Sequence, residues 1–149
     1  MGFRSLAACA AALRAEGHLV EIDHPVDPHL EIAEIQRRLF RAGGPAVLFT
    51  QPRGSAFPIL ANLYGTRRRI ERIFMESLDR VKRLVELKVD PAAALQRPWR
   101  YWRAPVDALA MLPRGVRTGP VMARNIPLSR LPQVVGWPGD GGAFVTLPA

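Results

Sequence analysis

The sequence is poor in cysteine and in long apolar runs. It has one cysteine, Cys9, so no disulfide can form within the chain, and this is typical of proteins in a reducing cytoplasm. No apolar run approaches the roughly 20 residues that a membrane-spanning helix needs. Residues 1–12 are Ala-rich and amphipathic, unlike a secretory signal peptide. We therefore expect a cytoplasmic protein with no membrane span.

Lysine is scarce as well, although the chain is basic. Of its 21 basic residues 19 are arginine, and the net charge is +8. Arg, Ala, Gly and Pro together account for 65 of the 149 residues, a bias that a high-GC genome produces without selection for anion binding. A basic surface raises non-specific affinity for polyanions. The charge alone therefore does not predict specific nucleic-acid binding.

Proline is unevenly distributed and divides the chain near Asp90. Residues 91–149 hold 9 of the 14 prolines and only 2 of the 13 acidic side chains. Frequent prolines prevent long helices, because each one removes a backbone donor and restricts the residue before it. We expect residues 1–90 to form a compact α/β (α+β) domain. Residues 91–120 would then be a Pro-rich linker or docking segment of extended chain and turns.

The apolar spacing in residues 1–45 predicts a helix, a strand and a second helix. Ser5 suits the N-cap of the first helix, Gly17 its end, and residues 18–22 the strand. Asp27 and Pro28 suit the cap and first residue of the second helix. That helix would end at the glycine pair of residues 43–44.

The next part of the chain predicts two strands and a third helix. The strands lie at residues 46–49 and 57–60, and Thr66 suits the cap of the helix. Gly65 just before it suits a positive φ. The apolar pattern continues to residue 87, so one long helix and two helices broken near Ser77 are both compatible with it. This order of elements predicts a small mixed sheet flanked by helices.

Two clusters of cationic residues are candidate binding sites. Arg67, Arg68 and Arg69 fall in the first turn of the third helix, where arginine is unfavourable, so they either bind an anionic ligand or form a solvated end near Glu71. Residues 99–103 (WRYWR) interleave aromatic and cationic side chains. They could stack on bases, pack on the first domain, or dock on a partner.

Other polar residues give weaker signals. His18, His24 and His29 are spaced across a strand and a turn, which does not predict a converging metal site, and we predict no metal ligands. Residues 137–142 (WPGDGG) predict a tight turn stabilised by Asp140 that leads into a strand at 144–148. No Ser-His-Asp or Cys-His pairing is present to support nucleophilic catalysis. The residues by themselves predict a domain with a docking arm.

Several segments together resemble the N-terminal part of the UbiD family of prenylated-flavin-dependent decarboxylases. They occur in family order and at family-like spacing, and they are residues 13–22 (LRAEGHLVEI), 26–28 (VDP), 41–49 (RAGGPAVLF), 62–66 (NLYGT), 128–132 (LSRLP) and 137–148 (WPGDGGAFVTLP). The resemblance implies reversible, non-oxidative decarboxylation of aromatic or α,β-unsaturated acids with prenylated FMN, Mn²⁺ and K⁺. It also implies that residues 121–149 start an incomplete split β-barrel that binds flavin.

In the family, the metal, phosphate and catalytic residues follow the part that this chain resembles. We therefore predict no catalytic, cofactor-binding or metal-binding residue in this chain, and no cofactor binding by the chain alone. One hypothesis is a truncated piece or small subunit of a decarboxylase, which pairs with a second chain carrying the barrel or forms a homo-oligomer. The alternative is a stand-alone, non-catalytic module that binds an anionic ligand or a partner protein through residues 67–69 or 99–103.

Overall fold

A computed structural model describes residues 3, 5–92, 96, 98–113, 115, 117–119 and 123–141. The described residues form two compact units. The sheet unit draws on residues 4–70 and 125–149, and the helical unit on residues 1–3 and 71–124. The division near Asp90 and the boundary at residue 120 stay predictions.

The sheet unit is built on a mixed three-stranded sheet, as the sequence predicts. Its strands are β1 (Leu19–Ile22), β2 (Ala46–Phe49) and β3 (Ile59–Ala61), in the order β1-β2-β3. β1 and β2 are parallel, with Leu19 opposite Ala46, whereas β2 and β3 are antiparallel, with Phe49 opposite Ile59. The third strand begins two residues later than predicted, because the Phe57 amide donates to the Ser55 hydroxyl in a turn.

Two helices of the sheet unit end as their glycines predict. They are α1 (Leu6–Ala15) and α2 (Glu31–Arg41). After α1, Gly17 has a φ of 72° and the His18 amide donates to the Leu13 carbonyl; after α2, Gly43 has a φ of 61°. These bonds satisfy carbonyls that the helix leaves open, and the left-handed residue that they require favours glycine. The predicted cap of α1 is also present, since the Ser5 hydroxyl accepts from the Ala8 amide.

The hydrophobic core lies between α2 and the sheet. Ile32, Val47 and Phe49 are at most 2% exposed, and Ile35 and Leu39 of α2 pack against them. The 3.6-residue period therefore places one apolar stripe of α2 on the sheet. Cys9 and Leu13 are the buried residues of α1.

The start of α2 differs from the prediction. The helix begins at Glu31, not at Pro28, and its N-cap is Leu30. The Pro28 carbonyl accepts from the Val135 amide and the Leu30 amide donates to the Val135 carbonyl, so a distant segment takes the groups that an earlier helix turn would use. Asp27 still accepts from the His29 amide, but in a turn that precedes the helix.

The third predicted helix is continuous. It is α3 (Arg67–Val89), 23 residues long, with no break at Ser77. Two short helices follow, α4 (Pro98–Tyr101) and α5 (Ala104–Ala110). The expectation of extended chain and turns is therefore wrong for these residues. Pro98 and Pro105 lie in first helical turns, where a missing amide hydrogen costs nothing.

The C-terminal part of the described chain is mostly irregular. Residues 128–130 form one turn of 3₁₀ helix, and Val135 makes an isolated parallel bridge with His29. Gly142 and the predicted strand at 144–148 lie outside the described residues, and the start of a barrel at 121–149 stays a prediction. In the part of the chain that is described, no helix combines the length and apolar character that crossing a bilayer requires.

The buried ring of Phe49 is expected to stabilise the folded protein. Phe49→Ala should lower the free energy of unfolding by about 3–5 kcal/mol, because it removes a fully buried ring and leaves a cavity. Urea unfolding followed by circular dichroism measures this. The control is Phe40→Ala, since Phe40 is 61% exposed and should lose less than about 1 kcal/mol. Equal losses in the two variants would contradict this position of the core.

Candidate functional site

The turn between β3 and α3 has a backbone that its own residues hold by hydrogen bonds. Asn62 has a φ of 54°, and its carbonyl accepts from the Gly65 amide at 3.2 Å. Thr66 caps α3 as predicted, with its hydroxyl accepting from the Arg69 amide at 3.4 Å. The prediction that Gly65 adopts a positive φ is wrong, because Asn62 does so. Gly65 is required for space: a Cβ there would overlap the Asn62 amide oxygen and lie 2.9 Å from Arg69 Nη2.

Arg69 fills the space beneath this turn. It is 2% exposed, and its guanidinium donates to the carbonyls of Gly44 at 2.8 Å, Asn62 at 2.8 Å and Leu63 at 3.2 Å. The Asn62 amide group donates to the Pro45 carbonyl at 2.9 Å beside it. Burial lowers the pKa of the Arg69 guanidinium, because desolvation disfavours the charged form. Arg69 therefore connects the end of α2, the end of β3 and the start of α3.

This geometry separates the three arginines that the sequence grouped together. The Arg67 and Arg68 side chains are exposed, whereas the Arg69 guanidinium is buried and bonded to backbone carbonyls. Arg67 also has a contact of its own. A three-arginine anion site is therefore not assembled at this helix end. Sequence spacing placed the three side chains on one turn, but only the fold shows which of them points inward.

A groove runs beside the turn. Its volume is about 420 Å³, and its lining is mostly apolar, with exposed Phe40 and Tyr64. Among the described residues, no buried side-chain nitrogen or oxygen lacks a hydrogen-bond partner. The groove therefore has no unsatisfied buried polar side chain aimed into it that would orient a ligand.

The aromatic segment at residues 99–103 belongs to the helical unit. Tyr101 is buried and donates to Glu86 at 3.0 Å, and Arg100 donates to both oxygens of the same carboxylate at 3.1 Å. Trp99 is 74% exposed and Trp102 is 71% exposed. Tyr101 is therefore the aromatic that anchors α4 on α3, and the two indoles do not pack into the core of their unit.

Asp107 is a buried anchor that the sequence reasoning did not single out. It is 5% exposed, and it accepts from Arg83 at 3.0 Å, with Arg80 at 3.6 Å. A buried carboxylate needs such partners, because an unpaired one would be costly to desolvate. The sequence feature that could have pointed to Asp107 is the rarity of acidic residues in this part of the chain, since Asp107 and Asp140 are the two acidic residues of the segment 91–149.

The turn at residues 136–140 is stabilised by Asp140, as predicted. The Asp140 carboxylate accepts from the Gly136 amide at 2.9 Å, and its own amide donates to the Trp137 carbonyl at 3.0 Å. Gly139 has a φ of 80° and completes the turn. All of these polar groups are engaged in forming the turn.

The described residues hold no cluster of side chains that could bind a metal ion. In the ranges that the structure describes, no three His, Cys, Asp or Glu side chains converge as a metal site requires. His18, His24 and His29 thus do not form one. The buried cation that could meet a phosphate, Arg69, is occupied by carbonyls. These described residues therefore do not fit a Mn²⁺ site, and we assign them no chemical step.

Comparison with known proteins gives a family match. Residues 10–88 match the model of the 3-octaprenyl-4-hydroxybenzoate carboxy-lyase N-terminal domain, UbiD_N. An uncharacterized protein of Chlamydia trachomatis serovar D is 42% identical over 149 residues, covering 97% of this chain and 26% of the relative. A 4-hydroxybenzoate decarboxylase subunit of Chlamydia pneumoniae is 36% identical over 138 residues, covering 91% of this chain and 24% of the relative. The chain thus spans about a quarter of the length of these relatives.

Among solved structures, the UbiD-class enzyme HmfF from Pelotomaculum thermopropionicum is similar to part of the chain. An evolved dimeric form in complex with prFMN is 30% identical, with a TM-score of 0.43, and the match covers 47% of this chain and 16% of that chain. The form in complex with FMN is also 30% identical, with a TM-score of 0.42, and covers 45% and 15%.

Arg69 is expected to be a structural residue that lysine cannot replace. Arg69→Lys should lower the free energy of unfolding by about 2–4 kcal/mol, because one ammonium cannot reach three carbonyls held by a planar fork. Arg68→Lys is the matched control on the same turn, and its exposed side chain predicts a change within about 0.5 kcal/mol. Chemical unfolding of both variants is the measurement. Equal stability of the two would contradict the role of Arg69.

Proposed function

Because this chain belongs to the UbiD family of carboxy-lyases, we propose that it acts as the N-terminal domain or a small subunit of a decarboxylase. The reaction would be the reversible, non-oxidative decarboxylation of an aromatic or α,β-unsaturated carboxylic acid. The observation that carries the proposal is the coverage. A relative with decarboxylase in its name matches 91% of this chain with 24% of its own length. The other three quarters of such a protein are then the part that holds the reacting groups.

In this proposal the chain completes a fold and supplies an interface. Prenylated FMN, with Mn²⁺ and K⁺, would supply an electron sink for decarboxylation, held by residues outside this chain. The role of this chain is supported by its own polar groups, which are engaged in structure. Arg69 bonds carbonyls, Asp107 holds arginines, and Asp140 closes a turn. The partner would be a barrel-bearing chain or further copies in an oligomer.

The exposed indoles favour an interface on the helical unit. Trp99 and Trp102 flank the buried Tyr101, whose hydrogen bond to Glu86 holds this segment while the two indoles are exposed. Trp, Tyr and Arg carry much of the binding energy at protein interfaces. In the proposed complex these two rings contact the partner.

A chimera tests the proposed function. This chain would replace the matching N-terminal part of the Chlamydia pneumoniae relative, and decarboxylation of 4-hydroxybenzoate and flavin retention would be measured. We expect the chimera and the intact relative each to decarboxylate 4-hydroxybenzoate and to retain flavin. The relative's remaining part expressed alone should do neither, because it lacks the domain it packs on. A chimera that folds but neither retains flavin nor turns over substrate would contradict the proposal.

The isolated chain is expected not to bind the cofactor. Titration with prenylated FMN, FMN and Mn²⁺ should give no saturable heat and no change in the flavin absorbance, because in this proposal the groups that hold them lie outside this chain, and its described residues hold no cluster of metal ligands. The chimera loaded with flavin is the positive control. Saturable binding to the isolated chain would place a cofactor site on this chain. It would overturn the proposal that residues outside this chain hold the cofactor.

A further inference from the structure

Leu30 has a backbone conformation that a residue with a Cβ rarely adopts. Its φ is 70° and its ψ is −38°, and the Glu31 amide donates to the His29 carbonyl at 2.9 Å across it. This is a three-residue γ-turn with a positive φ, a strained geometry that persists only where surrounding contacts impose it. Leu30 is also the N-cap of α2, where its side chain makes no capping bond.

The contacts that impose the turn come from a distant part of the same unit. The Leu30 amide donates to the Val135 carbonyl at 2.9 Å, and the Val135 amide donates to the Pro28 carbonyl at 3.2 Å. We refer to residues 132–136 as the Val135 segment. It contacts residues 28–30 through an isolated parallel bridge, with His29 opposite Val135. Two backbone hydrogen bonds thus hold residues 28–30 in a non-helical form.

The local sequence favours a different start for the same helix. Asp27 followed by Pro28 is a cap and first-turn pair, and Asp27 already accepts from the His29 amide at 2.8 Å, as a helix cap would. A helix that began at Pro28 would need the Pro28 carbonyl to accept from the Ile32 amide. In the structure the Ile32 amide donates to the Asp27 carbonyl at 3.2 Å instead, and the Pro28 carbonyl accepts from the Val135 amide.

We propose that the first turn of α2 and the Val135 segment form a two-state device in which one acceptor, the Pro28 carbonyl, has two competing donors. When the segment is docked, Val135 takes that carbonyl, Leu30 is held at positive φ, and α2 begins at Glu31. When the segment is released, Ile32 takes it, Leu30 relaxes to negative φ, and α2 extends by one turn to Pro28. Movement of the C-terminal segment is thereby coupled to the length of the helix that forms the core. This inference does not depend on the proposed function.

The variants Leu30→Gly and Leu30→Ala distinguish the two states. Which of the two variants is more stable to unfolding depends on the sign of φ at position 30. Both substitutions remove the leucine side chain beyond its Cβ, and they differ by that one methyl group. At positive φ glycine is favoured, so Leu30→Gly should have a folded-to-unfolded ratio about fivefold larger than Leu30→Ala. Inside a helix alanine is favoured by a similar factor. Urea unfolding of both variants in the full chain measures the order.

Val135→Pro then tests the coupling. It removes the amide that bonds the Pro28 carbonyl, whereas Val135→Ala keeps that amide and serves as the matched control. We expect the Gly-over-Ala order at position 30 to persist with Val135→Ala and to reverse with Val135→Pro. In the Val135→Pro protein, the ¹³Cα shifts of residues 28–30 should also move to helical values. An Ala-over-Gly order in the parent chain, or an unchanged order and unchanged shifts in Val135→Pro, would overturn the proposal.

Discussion

A buried cation has to be surrounded by acceptors, and in the sheet unit this requirement organises the junction of three elements. The Arg69 guanidinium bonds carbonyls that follow α2 and β3, while its own backbone lies in the first turn of α3. Position 65 requires glycine, because a Cβ there would clash with the Asn62 and Arg69 side chains. The turn, the start of α3 and the residues that follow α2 are therefore all bonded to one side chain.

The same principle limits what the chain can do chemically. Its conspicuous polar groups, Arg69, Asp107 and Asp140, have hydrogen-bond partners within their own units. Groups engaged in this way position backbone and helices, and they are not free to hold a phosphate or move a proton. This agrees with a role in which a UbiD-family chain contributes structure and an interface to a decarboxylase. The outward-facing Trp99 and Trp102 are the side chains best placed for such contacts.

Several candidate features were predictable from residue type and spacing. The glycines after α1 and α2, the Thr66 cap and the Asp140 turn all depend on bonds between residues a few positions apart. The apolar stripe of α2 and the run at residues 46–49 predicted the core in the same way, because burial follows the period of each element. The roles of Arg69 and Asp107 were not predictable. The Gly44 carbonyl that accepts from Arg69 lies 25 positions away, and the Arg83 that donates to Asp107 lies 24 positions away, whereas the sequence shows only a basic cluster and a lone acid.

The sequence by itself therefore determined the order of the helices and strands in residues 1–90, the glycines that follow α1 and α2, and the family resemblance, because these follow from short-range bonding and from residue patterns. Only the tertiary structure decided where α2 begins, which arginine turns inward and which aromatic of residues 99–103 is buried. Each of these depends on hydrogen bonds to backbone carbonyls or to a carboxylate that only the fold brings within reach. At Pro28 the local cap signal is overridden by Val135, since a hydrogen bond from a docked segment takes the acceptor that the helix would use.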